Sequence, residues 1–252
     1  MKLIATGITK SYNNKNIIQN VNISLDKGEV VSLLGVSGVG KTTVFNILSG
    51  LVRPDEGKVL LDNKDITGIP GNVSYMLQRD QLFEFKTIID NISLPLIIKG
   101  TKKKKARDIA KSYLDKFGLN GYERKYPKQL SGGMRQRAAF LRTYLFSSEV
   151  ALLDEPFSAL DPFTKYNMYK WYLDVIRDIK LSTIFISHDI DEAILLSDRI
   201  YVMSGCPGRI TEEIKIDNKP DDIENFTLEQ NFIDYKRQVL NAMRENLKQK
   251  NI

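Results

Sequence analysis

The sequence predicts an α/β fold, with a parallel-sheet core, an antiparallel β-rich start and an inserted helical segment. Three observations predict it. Two short apolar runs, Val150–Leu153 and Thr183–Ile186, flank a helical stretch from Pro162 to about Lys180. Buried strands alternating with a helix are the pattern of parallel pairing. A third run, Val30–Leu34, passes at once into a glycine-rich loop and then into a helix. The span from about Thr87 to Ser147 changes character and is mostly helical, with Ile109, Tyr113 and Phe117 at helical spacing.

The remaining elements follow in order. Leu3-Ile4, Ile17–Leu25 and Glu29–Leu34 alternate as strands do, and Asp26-Lys27-Gly28 supplies a turn before the last of them. A helix over Thr42–Leu48 is closed by Gly50, the turn Arg53–Gly57 follows, and Lys58–Leu61 returns as a strand. The end, from Leu228 to Lys248, is helical, with Phe232, Tyr235, Val239 and Met243 on one face. There are no internal repeats. The expected division is a core over 1–86 and 149–215, a helical segment over 87–148, and a tail over 216–252.

Composition excludes several classes. With 42% hydrophobic and 27% charged residues, the 252-residue chain is neither disordered nor fibrous. No apolar run approaches the roughly 18 residues of a membrane span, and Met1–Lys10 lacks the apolar core of a signal peptide. A soluble, intracellular chain is expected. One cysteine, Cys206, can form neither an intrachain disulfide nor a cysteine-built metal site. The net charge is +6, and Lys102–Lys105 carry much of the local excess. That run reads as a solvated face, or as a contact for nucleic acid or anionic lipid.

Gly35-Val36-Ser37-Gly38-Val39-Gly40-Lys41-Thr42 fits the phosphate-loop pattern G-x-x-x-x-G-K-[ST], in the required strand–loop–helix setting. Glycines let the backbone curl so that successive N–H groups face one concavity. The following helix adds roughly half a positive charge at its N-terminus. Lys41 would reach the β- and γ-phosphates of a nucleotide, and the Thr42 hydroxyl would ligate Mg²⁺.

Asp154 and Glu155 follow directly on the apolar strand. A carboxylate at the end of such a strand is where Mg²⁺ is held, and Glu155 could deprotonate the attacking water. The bland alternative is a glutamate that only caps the next helix. His188, the single histidine, ends the strand Thr183–Ile186, where a neutral imidazole can hydrogen-bond a γ-phosphate. Tyr12 reads either as a ring stacked on adenine or as a core residue.

Leu130-Ser131-Gly132-Gly133-Met134-Arg135-Gln136-Arg137 resists a purely structural reading. Ser131 would cap a helix whose first N–H groups Gly132-Gly133 leave sterically open, making a second anion-binding helix terminus. Two chains arranged head to tail could each close the other's site. At this segment the sequence resembles the ATP-binding subunits of ABC transporters, over about residues 2–210.

That resemblance implies a P-loop NTPase (RecA-like) core with an N-terminal antiparallel β-subdomain and an inserted α-helical subdomain. It also implies ATP hydrolysis with Mg²⁺. Tyr12 resembles the adenine-stacking aromatic, and Gly35–Thr43 the Walker A loop, with Gly35, Ser37, Gly38, Gly40, Lys41, Thr42 and Thr43 on ATP. Gln78 resembles the glutamine that touches Mg²⁺ and links to the membrane subunit. Asp154-Glu155 resembles the Walker B pair, His188 the switch histidine, and Ser158–Asp161 the D-loop, with Asp161 coupling two sites. Ser131, Gly132, Gly133 and Gln136 resemble the signature contacts to the ATP of a second copy.

Met134-Arg135-Gln136-Arg137, Trp171, His188–Ala193 and Pro207–Ile210 are similar to importers of the nitrate, sulfonate and taurine group, which includes transporters of thiamine-precursor pyrimidines. The implied partners are a second copy of the chain, membrane permease subunits and, indirectly, an extracytoplasmic binding protein, at the cytoplasmic face of the membrane. No nucleic acid is expected. Two rivals stand beside this reading: a soluble ABC ATPase acting on DNA or the ribosome, and an exporter's ATPase. Leu82, Phe83 and Phe85 either line a groove for a permease helix or pack as core.

Overall fold

The computed structural model describes residues 1–147, 149–217, 219–220 and 223–248. Within the expected tail, positions 218, 221–222 and 249–252 therefore lie outside the described residues. The chain divides into two compact units, Met1–Val73 with Ser182–Ile252, and Ser74–Leu181.

The first unit opens with the hairpin β1 (Leu3–Tyr12) and β2 (Lys15–Leu25). Asn13 and Asn14 turn it with φ of 49° and 59°, which short polar side chains tolerate in hairpin turns. β3 (Val30–Gly35) is buried at every position and runs into α1 (Lys41–Leu48). β4 (Glu56–Leu61) and the short β5 (Lys64–Asp65) follow.

The chain then enters the second unit with β6 (Ser74–Met76), α2 (Ile88–Ile98), α3 (Lys103–Ser112) and α4 (Gly132–Phe146). β7 (Val150–Asp154) and α5 (Pro162–Ile179) complete that unit. Back in the first unit come β8 (Ser182–Ser187), α6 (Ile190–Leu196), β9 (Arg199–Gly205), β10 (Gly208–Lys215), α7 (Ile223–Phe226) and α8 (Gln230–Lys248).

In the first unit the strands lie in the order β5-β4-β1-β2-β10-β9-β3-β8. The β5-β4-β1-β2 side is antiparallel, while β3 pairs in parallel with both β8 and β9. β10 joins the two sides, pairing in parallel with β2 at Gly208–Ile18 and antiparallel with β9. Parallel strands are covered on both faces, which is why Val30–Leu34 and Thr183–Ile186 lack alternation. β1 runs far beyond the Leu3-Ile4 read from the sequence. Register shifts near Gly7 break its alternation, yet pairing with β2 continues to Tyr12. β6, β9 and β10 escaped the sequence reading altogether.

The second unit pairs β6 with β7 in parallel, Tyr75 opposite Leu152. Three of its helices begin at side-chain caps, Thr87 on α2, Ser131 on α4 and Asp161 on α5, the last followed by Pro162 in the first turn, whereas Lys102 leaves α3 uncapped. On α3 the buried stripe is Ala106 and Ala110, continued by Leu114 and Phe117. Ile109 and Tyr113 border it, half-buried. The sequence reading favoured the bulkier residues, although alanines let α3 pack closest. Lys102–Lys105 are exposed. Phe232 and Val239 of α8 are buried, with Tyr235 and Met243 beside them.

Candidate functional site

In the first unit the phosphate loop is shaped by close backbone approaches. A Cβ on Gly35 would run into the carbonyl oxygen of Met203 on β9, and one on Gly208 into that of Val39. Gly38 and Gly40 take φ of 78° and 109°, where a side chain is strained. Gly40 is the N-cap of α1 and no side chain caps that helix, so its leading N–H groups are left to the loop's concavity.

Lys41 is 7% exposed, and its Nζ donates to the carbonyl oxygens of Gly35 at 2.7 Å and Val36 at 3.1 Å. Ser37, Gly38 and Thr42 are exposed and Thr43 is half-buried. Leu34 on β3 lies opposite Ser187 on β8, so His188 leaves the sheet level with Gly35 and is exposed. Tyr12 is 45% exposed, which removes the core reading, and Lys10 Nζ stands 5.6 Å from its ring centroid.

In the second unit Asp154 ends β7, buried, and its Oδ2 accepts from the Tyr75 hydroxyl at 3.3 Å. Burial first, and the Asp154 charge second, push the Tyr75 hydroxyl well above the ordinary phenol range, so it stays a donor. Gln78 Nε2 donates to Glu155 Oε2 at 2.9 Å. Glu155 itself sits at φ 46°, a left-handed conformation that costs about 1–3 kcal/mol for a non-glycine residue. Ser158 holds it there, bonding the Glu155 carbonyl through both N–H and Oγ at 3.2 and 3.0 Å.

Asp161 caps α5 by accepting from the Thr164 N–H at 3.0 Å. Its bonds to Thr164, side chain first and backbone next, keep its carboxyl below the usual range. Among the described residues no cluster of three or more His, Cys, Asp or Glu side chains could hold a metal. The expected donors Thr42, Gln78 and Asp154 are all oxygen donors, which suits a hard cation that keeps several waters and substrate phosphates. With Nε2 spent on Glu155, Gln78 can still offer its amide oxygen.

On α4, Ser131 is exposed and its Oγ accepts from the Met134 N–H at 3.3 Å. A Cβ on Gly132 would lie 3.4 Å from Leu160, and one on Gly133 3.2 Å from Thr164. Gln136 departs from its expectation. It is 5% exposed, on the inner face of α4, and its Oε1 has no partner among the described residues. Of the three residues beyond Gln78, Leu82 is buried and belongs to the packing, whereas Phe83 and Phe85 are 41% and 75% exposed with ring centroids 5.6 Å apart. Buried Asn91 holds that segment, accepting from the Phe83 N–H at 2.7 Å and donating to the carbonyls of Phe83 and Lys86 at 3.1 Å each.

Tyr75, bonded to Asp154, and Gly208, against the Val39 carbonyl, border the candidate site and have no role in the sequence analysis. The Pro207-Gly208 pair is a turn signal in its own right and could have marked Gly208.

The family model described as ABC transporter matches residues 18–158. The formylaminopyrimidine import ATP-binding protein ThiZ of Halalkalibacterium halodurans is 41% identical over 79% of this chain and 78% of its own. An aliphatic sulfonates import ATP-binding protein, SsuB of Bacillus cereus, is 39% identical over 82% of this chain and 81% of its own. Among solved structures, the dimeric post-hydrolysis state of the ATP-binding cassette MJ0796, bound to ADP and phosphate, superposes with a TM-score of 0.72 at 28% identity, covering 85% of this chain and 98% of that one.

Proposed function

The chain belongs to the ABC transporter family as an ATP-binding, ATP-hydrolysing subunit, and from that premise we propose that it energises a membrane importer of a small polar solute. Nitrate, sulfonate and taurine, or a pyrimidine precursor of thiamine, are the cargo classes that the relatives and the sequence resemblance support. The working form is a pair of copies at the cytoplasmic face of the membrane, bound to permease subunits and served by an extracytoplasmic binding protein. Among the described residues no helix is long and apolar enough to cross a membrane, so the span falls to the partner.

Each residue has a physical task in this reading. The uncapped N-terminus of α1 and the ammonium of Lys41 bind phosphate oxygens, with Gly35, Ser37, Gly38, Gly40 and Thr43 as the cradle. Tyr12 stacks on adenine. Thr42, Gln78 and Asp154 hold Mg²⁺, which when bound neutralises charge on the phosphates. Glu155, oriented by Gln78, takes the proton of the attacking water, and His188 bonds the γ-phosphate. Ser131, Gly132 and Gly133 serve the ATP of the second copy, excluding water and adding N–H donors where charge develops. Gln136, being buried, leaves that set. Asp161 links the two sites, and the functional division keeps residues 87–148 as the segment that carries the signature.

The observation that carries the importer reading is the exposed pair Phe83–Phe85, held on Asn91 a few residues past the glutamine that orients Glu155. Tagged Glu155→Gln, captured from solubilised native membranes with ATP, should bring a multi-span membrane protein with it, identified by mass spectrometry. Recovery of ribosomal or DNA-bound proteins instead would leave the ATPase chemistry and remove the transport. With the permease in hand, Phe83→Glu should uncouple transport while sparing the chain's own ATPase. Equal loss of both would return Phe83 to packing.

A further inference from the structure

The segment that orients Glu155 is itself held at two points. Asp80, two residues past Gln78, divides its carboxylate. Oδ1 accepts from the Leu82 N–H at 3.1 Å, and Oδ2 from Arg135 Nε at 3.2 Å. Arg135 also donates from Nη1 to the carbonyl of Leu130 at 3.0 Å, the residue just before Ser131. Two turns along α4, Arg142 donates to the carbonyls of Asp80 at 2.6 Å and Gln81 at 2.7 Å. Positions 135 and 142 are seven apart and share a helix face.

Arg142 lies deep enough that burial lowers its pKa, with the Asp80 charge opposing the shift. Gln81 is bent to φ 49°, a conformation that persists in a non-glycine residue only when its surroundings impose it. The result is a continuous set of bonds inside the second unit, running Glu155–Gln78, then Asp80–Arg135, then Leu130 and the cap Ser131.

Stability does not account for this arrangement. The Asp80 and Arg135 side chains are 28% and 37% exposed, and a pair so placed contributes little to folding. What it fixes is geometry. We infer that Asp80, Arg135 and Arg142 form a clamp that makes the orientation of Glu155 depend on how the signature helix α4 is seated. All three are positioning residues, acting through the 78–82 segment and α4. The inference rests on the proposal that Ser131–Gly133 serve the second copy's ATP. Seating of α4 on one nucleotide then readies the Glu155 of the chain that carries that α4, and so couples the two sites.

The test uses the purified full chain. Arg135→Ala should lower kcat for ATP hydrolysis by up to about 10²-fold, the loss that a misplacement of about 1 Å at the reacting centre can cause. Its Hill coefficient for ATP should fall toward unity, while a fluorescent ATP analogue binds the monomer with unchanged Kd. The charge swap Asp80→Arg with Arg135→Asp should recover kcat and cooperativity, which a generally loosened fold would not do. Unchanged kcat and Hill coefficient in a folded Arg135→Ala, or a folded swap without recovery, overturns the clamp. Should Arg135→Ala not fold, Arg135→Lys keeps the charge and loses the Leu130 bond, and it must then show the same split. If the wild-type chain hydrolyses no ATP, the proposed function falls by itself. Hydrogen exchange then judges the clamp: Arg135→Ala must speed exchange of amides 78–82, and unchanged exchange overturns it.

Discussion

Two helix N-termini in this chain are proposed for the same chemical task and are built differently. α1 starts at Gly40, in a left-handed conformation with no side-chain cap, behind a loop in which Gly35 is required by backbone contact and Gly38 and Gly40 by positive φ. α4 starts at Ser131, whose own hydroxyl satisfies the Met134 N–H, and its glycines have ordinary φ and only side-chain neighbours. The first terminus is shaped wholly by its own unit, with Lys41 buried beneath it. The second is a finished, capped helix end that leaves Ser131 on the surface. A phosphate cradle must be complete in one chain, whereas a contact offered to another chain must be stable while nothing is there.

The largest effect that could break this contrast is on rate. Glu155→Gln removes the proposed base but none of the cradle, so ATPase activity should fall by about 10²–10⁴ while ATP affinity holds. Size-exclusion chromatography with ATP should then show a lasting dimer. A monomeric elution, or affinity lost in step with rate, would mean that the binding and hydrolytic residues are not separable in this way.

Next come the glycines. Gly35→Ala drives a methyl into the Met203 carbonyl oxygen, a backbone atom that cannot swing aside. Overpacking of this kind costs about 1–3 kcal/mol, and nucleotide affinity should fall with it. Gly132→Ala instead meets Leu160 at an ordinary contact distance of 3.4 Å. Alanine gains up to about 0.5–1 kcal/mol over glycine in a helix, so this variant should fold as well as the parent. Its loss should be in ATPase rate alone, because on the proposed pairing the new methyl would meet the second copy's nucleotide. Urea unfolding and ATPase assays on the two variants would separate the termini. Equal destabilisation would erase the contrast.

A smaller effect tests the cap itself. Ser131→Ala should cost about 1 kcal/mol in urea unfolding, the usual worth of a serine cap, and α1 has no counterpart to lose. An unchanged midpoint would show that the Met134 N–H is satisfied without Ser131.

Most of the candidate site was legible in the sequence because it is local. Gly35–Thr42 and Val150–Glu155 each place their chemistry within one strand–loop–helix or strand–turn, so spacing alone located them. Long-range contacts left no such trace. Gly208 matters because β10 meets β2 beside the Val39 carbonyl, and Tyr75 because β6 pairs with β7 in a register that brings it to Asp154. Neither register follows from a pattern within either strand. Gln136 was misplaced because the motif names residues in order, while the helix decides which of them face outward. Three residues beyond Gly133, Gln136 returns to the buried side of α4.

The smallest predicted effect concerns how the second unit fastens its helices around that capped end. Arg107 on α3 reaches Asp90 in the first turn of α2 through Nε and Nη2, both at 2.9 Å. Burial alone would raise the Asp90 carboxyl. The bonds from Arg107 and from the Thr87 hydroxyl outweigh it and hold the group below the ordinary range. A carboxyl depressed in the folded state adds stability that is complete above its unfolded pKa, about 3.9, and is lost as pH falls through the lower folded value. The difference in urea midpoint between the parent and Asp90→Asn should therefore be constant from pH 7 to 5 and shrink only below about pH 4. A difference already gone at pH 5 would mean that the carboxyl titrates higher than its partners allow. α1 has no acidic residue in its first turn, so its terminus has no carboxylate of this kind to lose in acid.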